Sequence, residues 1–209
     1  MPTLKEMVTT FKITPDANGK SKALTDEFRS SYAFVYKPYD NQKDEPKHSI
    51  QMIFDKKNTK ALKPLVQAAA NACARKWGAI GNWPKMKNNL FKLAVEEEEA
   101  TEKHYKDTIV ITARSAKDKP PGIVGPNAKP YMDGEEHFYS GCEGRATIVA
   151  YAYDHAQNKG VAFGLNNLMF VRDNERLDGQ SSAEDDFGEY ATDEVEDETE
   201  TDSADESGF

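Results

Sequence analysis

Residues 28–55, FRSSYAFVYKPYDNQKDEPKHSIQMIFD, hold two alternating runs separated by a polar turn. Neighbouring side chains in a strand point to opposite faces, so alternation of this kind predicts strands. In the run at 28–39, aromatic side chains fill alternate positions, and in the run at 48–55 the apolar row is Ile50, Met52 and Phe54. The spacing of the two runs predicts neighbouring antiparallel strands.

The period changes directly after the second run. Between residues 58 and 77, apolar side chains recur every three or four positions, which predicts an amphipathic helix. Asn58 or Thr59 can cap its start, and Pro64 is tolerated only because it lies near that start. The apolar stripe consists of Leu62, Val66, Ala69, Cys73 and Trp77.

Further strands are predicted on both sides of this helix. One is expected at 7–14, and others at 107–115, 145–154 and 161–173, the last two joined by a short hairpin turn. Residues 85–103 are expected to form a second helix or an irregular excursion. A long loop rich in Pro and Gly precedes the final hairpin, and loops of this length are usually functional or well packed.

The predicted order is three strands, a helix and then further strands. A small antiparallel barrel of about five strands, with a helix inserted after the third, is the plan of the OB fold, whose strand faces and loops bind oligonucleotides. A β-sandwich fits the number of strands but explains the central helix less well. We therefore predict a mainly β, five-stranded Greek-key OB-fold barrel over residues 1–177.

The charge of the chain is divided between two regions. The 209 residues carry a net charge of −9 and are 38% hydrophobic. From Asp178 onward there are 14 acids and no base, which leaves 22 acids and 27 bases, about +5, in residues 1–177. The acidic end is poor in apolar residues, so burial cannot offset the entropy of ordering it. We predict a disordered acidic tail over 178–209.

Cysteine content and hydropathy bear on the cellular compartment. Cys73 and Cys142 are too few for the disulfide scaffold of a small secreted protein, and the N-terminus does not resemble a signal peptide. No apolar stretch approaches the roughly 18 residues that a membrane span requires. We expect a cytosolic protein with free thiols and no membrane partner.

Bases and aromatic residues are interleaved through the middle of the chain. Residues 43–92 hold eleven bases and three acids, and Trp77 and Trp83 lie among the bases. Lysines on a helix often form only a solvated face, but single-stranded nucleic acid needs cations for its phosphates and flat side chains for its unpaired bases. From face and charge we predict these DNA-binding residues: Tyr36, Lys37, Lys56, Lys57, Arg75, Trp77, Lys117, Lys119, Arg145, Tyr151 and Tyr153.

The strand at 145–154, RATIVAYAYD, leaves two orientations open. One face carries Arg145, Tyr151 and Tyr153, and the other carries small apolar residues. The first face suits a binding surface if it points outward, and the two tyrosines could equally fill the core.

Residues that could support catalysis are few. The four histidines have no spacing that joins two of them with cysteine or carboxylate as metal ligands. DGEEHF at 133–138 is more typical of a solvated turn than of a nuclease site. GAIG at 78–81 matches the GxxG clamp of KH domains but is followed by Trp and Pro in place of a helix start. We expect neither an enzyme nor a cofactor.

Residues 119–179 resemble the C-terminal half of a family of bacteriophage proteins, which is similar to the replication single-stranded DNA-binding proteins of tailed phages. The resemblance is most specific at FYSGC (138–142), AYAYD (150–154), NKGVAFGLNN (158–167) and VRD (171–173). It implies an OB fold, sequence-tolerant binding and an acidic tail that ends in an aromatic residue. The chain departs from the family pattern at Glu143 and Gly144 and in its acidic segment 96–99.

The last residues suggest a second role for the tail. We expect its acids to compete with DNA, and its aromatic end to recruit phage or host replication proteins such as a polymerase, helicase or primase. The tail residues concerned are Asp193, Glu194, Glu196, Asp197, Glu198, Glu200, Asp202, Asp205, Glu206 and Phe209.

The resulting hypothesis is a non-enzymatic, sequence-independent single-stranded DNA-binding protein of phage replication and recombination, acting in the cytoplasm of the infected host. Two alternatives stay open. One is a metal-dependent DNA nuclease, and the other is an acidic DNA mimic that inhibits a host protein.

Overall fold

The computed structural model describes residues 3–86, 90–93, 105–131, 136–155, 158–177, 179 and 190. The chain divides into two compact units, Met1–Gly179 and Gln180–Phe209. In the second unit only Tyr190 is described, so the predicted disorder of the tail stays a prediction.

The first unit is built mainly from strands. Its elements, in chain order, are α1 (Leu4–Thr10), β1 (Lys22–Leu24), β2 (Phe28–Tyr39), β3 (Lys47–Asp55), α2 (Thr59–Trp77), a 3-10 helix (Ile80–Asn82), β4 (Lys92–Leu93), β5 (Thr108–Ala116), β6 (Gly122–Val124), β7 (Glu143–His155) and β8 (Asn158–Arg172). The strands predicted at 28–39, 48–55, 107–115, 145–154 and 161–173 are confirmed to within a few residues.

Five of these strands close into a ring. β7 pairs with β2, β2 with β3, β3 with β5, β5 with β8, and β8 returns to β7. All of these pairs are antiparallel except β5 and β8, which run parallel through Ala113–Phe163 and Arg114–Gly164. The ring is the five-stranded barrel of an OB fold, so the predicted fold is confirmed, with one parallel closure in a barrel that we expected to be antiparallel.

The barrel interior is filled by the predicted apolar rows. Ile50, Met52 and Phe54 are at most 2% exposed, and alternate residues of β5 and β7 join them. On α2, the side chains of Leu62, Val66, Ala69 and Cys73 are fully buried against the same core, as the helical period predicts. The side chain of Asn58 accepts a hydrogen bond from the Ala61 N–H at 3.1 Å and caps this helix.

The strand predicted at 7–14 is wrong, because α1 occupies the first four residues of this segment and the other four form no strand. Thr3 and Glu6 form a capping box that starts the helix. Leu4, Met7 and Val8 are buried at the spacing of one helical face, which accounts for the apolar pattern as well as strand alternation would. The central helix α2 follows β1, β2 and β3 in chain order, of which only β2 and β3 belong to the closed ring.

The segment predicted as a second helix at 85–103 is described only at 85–86 and 90–93. Lys92 and Leu93 form a short strand beside Val110 and Ile109 of β5. The acidic part, 96–99, lies outside the described residues. Of the helices in the described ranges, none combines the length and apolar character needed to cross a bilayer.

Candidate nucleic-acid interface

A β-bulge in β2 decides which of its side chains face outward. Tyr32 has a φ of 44°, and the pairing with β3 shifts between Ser31 and Phe34. The shift lets Phe28 and Val35 both point inward, at 2% and 1% exposure, although a regular strand would place them on opposite faces. Beyond the bulge, Phe34 is paired with Ser49 of β3 and lies on the outer surface of the barrel.

The FYSGC motif at 138–142 holds this bulge in place. The Ser140 hydroxyl accepts a hydrogen bond from the Ala33 N–H at 3.0 Å, and the Gly141 N–H donates to the Ser30 carbonyl at 2.9 Å. Gly141 has a φ of 118° and lies against the backbone of Glu175, where a Cβ has no room. The most specific motif of the resemblance is therefore structural, because it shapes the strand that carries Phe34.

A continuous outer surface runs from β2 to β7, which we call the open face. It consists of Phe34, Tyr39, Lys47, Ser49, Arg114, Tyr151 and Gly164, which are cross-strand partners or immediate neighbours on adjoining strands. Adjacent strands are about 4.8 Å apart, so the open face follows about 19 Å of the curved barrel wall across its five strands.

Aromatic rings stand at both margins of the open face. On β2, the rings of Phe34 and Tyr39 have centroids 4.7 Å apart, and Tyr39 is 53% exposed. On β7, Tyr151 is 50% exposed. Exposed rings of this kind are the side chains on which unpaired bases stack.

Arg114 lies near the centre of the open face. It is exposed, and no acidic side chain of the described ranges lies within salt-bridge distance of it. Lys47 is exposed beside Tyr39, and Lys117 and Lys119 follow the end of β5 directly. The face therefore combines rings with positive charge that is not neutralised by described residues.

His48 connects the barrel interior to this basic end. The His48 side chain is 3% exposed, and its Nε2 donates to the Lys117 carbonyl at 3.2 Å in the tautomer that this contact requires. His48 and Ser115 are cross-strand partners on β3 and β5, so the ring holds the start of the 117–119 segment against the barrel.

The same two strands are covered at their other end. The outward side chains of Ile53 and Val110 are 6% and 7% exposed, because Tyr105 and Leu177 pack over them. The Leu177 N–H donates to the Ser140 carbonyl at 2.9 Å, and the Tyr105 hydroxyl contacts that of Ser31. We call Ile53, Val110, Tyr105 and Leu177 the covered patch.

The structure selects the outward orientation of the predicted face on β7. Ala146, Ile148 and Ala150 point inward at 3% exposure or less, so the alternate residues point out. Tyr153 lies against Gly160, and its ring centroid is 6.1 Å from that of His155. Tyr151 and Tyr153 thus form one outward row.

Arg145 belongs to that row but is held by acids. Its guanidinium lies 2.8 Å from Glu27 and 3.4 Å from Asp26. Arg172 adds a second contact to Glu27 at 3.0 Å. The hydrogen bonds from Arg145 and then Arg172 lower the pKa of Glu27 below its usual value.

Arg75 is also committed within the protein. Its guanidinium donates to the carbonyls of Ala17 and Gly19 and to the Ser21 hydroxyl at 3.1, 2.7 and 2.7 Å. These bonds fasten the loop before β1 to helix α2. No local pattern indicates these bonds, because the acceptors lie more than fifty residues away along the chain.

The two tryptophans differ in exposure. Trp83 is 3% exposed and donates to the Gly78 carbonyl at 3.0 Å, so base stacking on Trp83 is incompatible with this packing. Trp77 is half-buried, and its indole N–H faces the Asp154 carboxylate at 3.4 Å.

The remaining predicted residues fall in two places. Lys56 and Lys57 lie beyond the covered patch, and Lys56 contacts Asp107 and lowers the pKa of that carboxyl. Lys37 lies on β2 with Glu136 at 3.8 Å, and the Tyr36 hydroxyl accepts from the Phe138 N–H at 3.1 Å.

The structure therefore brings Lys117, Lys119, Tyr151 and Tyr153 to the open face or its margins. Lys37 contacts Glu136, the Tyr36 hydroxyl contacts the Phe138 N–H, and Arg145 contacts Asp26 and Glu27. The structure places Lys56, Lys57, Arg75 and Trp77 elsewhere on the body. Phe34, Tyr39 and Arg114 were missing from the prediction. Arg114 could have been found, because alternation after Ile109, Ile111 and Ala113 puts it on the outer face.

The described residues offer few groups for other chemistry. They contain no group of three or more His, Cys, Asp or Glu side chains placed to hold a metal ion. Burial raises the pKa of Cys73 to about 12, and it also raises the pKa of Cys142. Part of the DGEEHF stretch lies outside the described residues.

The closed five-stranded barrel, with aromatic side chains and cations on its outer surface, is an OB fold of the type whose strand faces and loops bind oligonucleotides. A family model described as "Enterobacter phage Enc34, ssDNA-binding protein" matches residues 21–199, and the chain belongs to this family. No curated protein sequence matches the chain.

Solved structures of phage proteins share the fold. The single-stranded DNA-binding protein of bacteriophage Enc34 in complex with ssDNA aligns with a TM-score of 0.60 and 18% identity, over 79% of this chain and 98% of that one. A second structure of the bacteriophage Enc34 single-stranded DNA-binding protein aligns with a TM-score of 0.59 and 19% identity, over 80% of this chain and 90% of that one. The gp2.5 single-stranded DNA-binding protein of bacteriophage T7 aligns with a TM-score of 0.55 and 13% identity, over 85% of this chain and 98% of that one.

Proposed function

We propose that this protein binds single-stranded DNA without sequence preference, and without enzymatic activity, during phage replication and recombination. The open face carries the proposal, because it combines exposed rings with Arg114, Lys47, Lys117 and Lys119 on the outer wall of the barrel. Family membership supports it, and so does the shared fold with a phage protein solved on ssDNA.

The binding mode follows from the chemistry of the face. Cations follow the phosphates of a strand, while the rings stack on bases that are exposed only when they are unpaired. Each stacked base contributes roughly 1 to 3 kcal/mol with little dependence on its identity. A duplex offers its phosphates but hides its base faces, so the face should prefer single strands.

The test is titration of a fluorescein-labelled oligothymidylate, followed by anisotropy, beside a duplex of the same length. We expect tight binding of the single strand that weakens steeply with salt as counterions are released. Incubation of the same strand with the protein and magnesium, followed by gel analysis, tests the nuclease alternative. A binding protein leaves the strand intact. Failure to bind the oligothymidylate even in dilute buffer would overturn the proposal.

The acidic tail is proposed to compete with DNA for the cationic surface. A coil of about 32 residues has an end-to-end distance near 30 Å, which gives an effective concentration on the order of millimolar at the body. Deleting residues 193–209 should therefore tighten binding of the oligothymidylate. A deletion that leaves the affinity equal or lower would contradict this part of the proposal.

Phe209 is proposed to serve a replication partner, because an apolar side chain beside an acidic segment suits a small basic-rimmed pocket. Phe209→Ala should leave DNA affinity unchanged and abolish capture of the phage or host polymerase, helicase or primase by the intact tail. Equal capture by both tails would contradict a role for this residue.

A further inference from the structure

The centre of the open face has a floor without a side chain. Gly164 on β8 is the partner of Arg114 on β5 and of Val149 on β7. Its neighbours Phe163 and Leu165 point inward at 2% and 4% exposure, so Gly164 faces outward. Gly164 therefore leaves a gap in the outer surface, with Arg114 of β5 on one side and Val149 and its diagonal neighbour Tyr151 of β7 on the other.

The fold itself does not require glycine at this position. A Cβ on Gly164 would lie 3.6 Å from the Val149 carbonyl oxygen and 3.9 Å from the Tyr151 ring, which are ordinary van der Waals contacts. Gly164 is also absent from the positive-φ residues of the described chain. Gly141 differs in both respects, since its backbone angle and its neighbours exclude a Cβ.

The two flanking side chains suit the two halves of one nucleotide. Tyr151 is 50% exposed, and one carbon at its ring edge lies 3.9 Å from the place that a Cβ on Gly164 would take. An exposed ring stacks on an unpaired base. The Arg114 guanidinium is exposed across the gap, and its planar donors match phosphate oxygens. Glycine between them allows a flat base to approach the strand backbone.

We propose that Tyr151, Gly164 and Arg114 form a subsite for one unpaired nucleotide, in which the base stacks on Tyr151 above Gly164 and a phosphate pairs with Arg114. The inference rests on the proposed binding of single strands at the open face, and it makes Gly164 a residue that selects for a base at this place.

The test fills the gap without disturbing the fold. Gly164→Val places a branched side chain in the gap, and β-branched residues are well tolerated in strands. Gly164→Ala fills less of it, and Gly81→Val is the matched control because a Cβ on Gly81 has no atom within 4 Å. Thermal unfolding of each variant verifies that the barrel is intact.

Affinity is measured by anisotropy with a fluorescein-labelled oligothymidylate and with an abasic strand of equal length. We expect Gly164→Val to weaken oligothymidylate binding about tenfold, Gly164→Ala to weaken it less, and Gly81→Val to leave it unchanged. The abasic strand should bind wild type and Gly164→Val equally, because it has no base to displace.

Two results would overturn the subsite. One is unchanged oligothymidylate affinity in a folded Gly164→Val variant while Tyr151→Ala binds more weakly. The other is an equal loss for the abasic strand, which would show that the side chain blocks the backbone. Either result differs from failure of the proposed function, in which wild type itself does not bind the oligothymidylate.

Discussion

The outer surface of β3 and β5 has two halves that differ in their exposure to solvent. At one end, Ser49 and Arg114 face solvent, and at the other, Ile53 and Val110 are sealed beneath Tyr105 and Leu177. The β3–β5 pairing runs unbroken from one end to the other, but the outward side chains change from polar to apolar. Among the described residues, Tyr105 and Leu177 cover the apolar half, so exposure on this barrel depends both on the outward side chains and on the segments that cover them.

A second contrast lies among the arginines. Arg75 and Arg145 satisfy their guanidinium groups within the protein, whereas Arg114 has no acidic partner among the described residues. Equal formal charge therefore does not imply equal roles. We therefore expect Arg75 and Arg145 to serve stability, and Arg114 to be the cation available to a phosphate.

The largest expected effect comes from opening the covered patch. Ile53→Ala removes a buried side chain beneath Tyr105 and Leu177, which should lower the free energy of unfolding by about 3 kcal/mol. Urea denaturation followed by circular dichroism measures the change. The folded fraction should keep its DNA affinity, and a selective loss of affinity with normal stability would show that this half binds the strand.

Reversing the open cation should give the next largest effect. Arg114→Glu should weaken oligothymidylate binding about tenfold or more and lower the salt slope by roughly 0.7, with unchanged stability. Lys60→Glu is the matched control, because Lys60 is exposed on α2 and changes the net charge equally. Equal losses in the two variants would mean that only total charge matters.

Removing the committed arginine should affect stability and not binding. Arg75→Met deletes the hydrogen bonds to Ala17, Gly19 and Ser21, and should lower the free energy of unfolding by about 1 kcal/mol. Denaturant midpoints and oligothymidylate titration are measured on the same samples. A stable variant that binds DNA more weakly would return Arg75 to the interface.

The smallest effect is expected at Arg145, and it depends on pH. The pKa of Glu27 is lowered in the folded protein, so its stabilising contribution is present above the unfolded-state pKa near about 4.3 and is lost as pH falls through the lower folded value. Arg145→Gln should cost about 0.5 kcal/mol at neutral pH.

This difference between wild type and Arg145→Gln should shrink as the buffer is acidified below the unfolded-state pKa. Denaturant midpoints across the acidic range measure it. A difference that stays constant down to the acid transition would assign the role of Arg145 to packing and not to its charge pair with Glu27.

Much of the barrel follows from local pattern, and the failures have physical causes. Alternation at 48–55 and the period of α2 specify elements because their apolar faces are buried in one core. At α1, seven residues are too few to separate a helical face from strand alternation, and the capping box of Thr3 and Glu6 was the available signal.

The site was less predictable because it depends on contacts distant in sequence. No local feature shows that Arg75 is bound by the loop at 17–21, or that Leu177 covers Ile53 and Val110. The face of Arg114 follows from alternation along β5, but its freedom from acidic partners requires the assembled barrel. The alternation within one β-strand therefore shows on which face an aromatic or charged side chain lies. It does not show whether another residue of the protein already contacts that side chain.

The most direct test is an NMR titration of isotope-labelled protein with oligothymidylate. The account predicts the largest chemical-shift changes at Phe34, Tyr39, Arg114, Tyr151 and Gly164, with small changes at the covered patch and at Arg75. Changes concentrated on α2 around Lys60 and Arg75, with the open face unaffected, would contradict it.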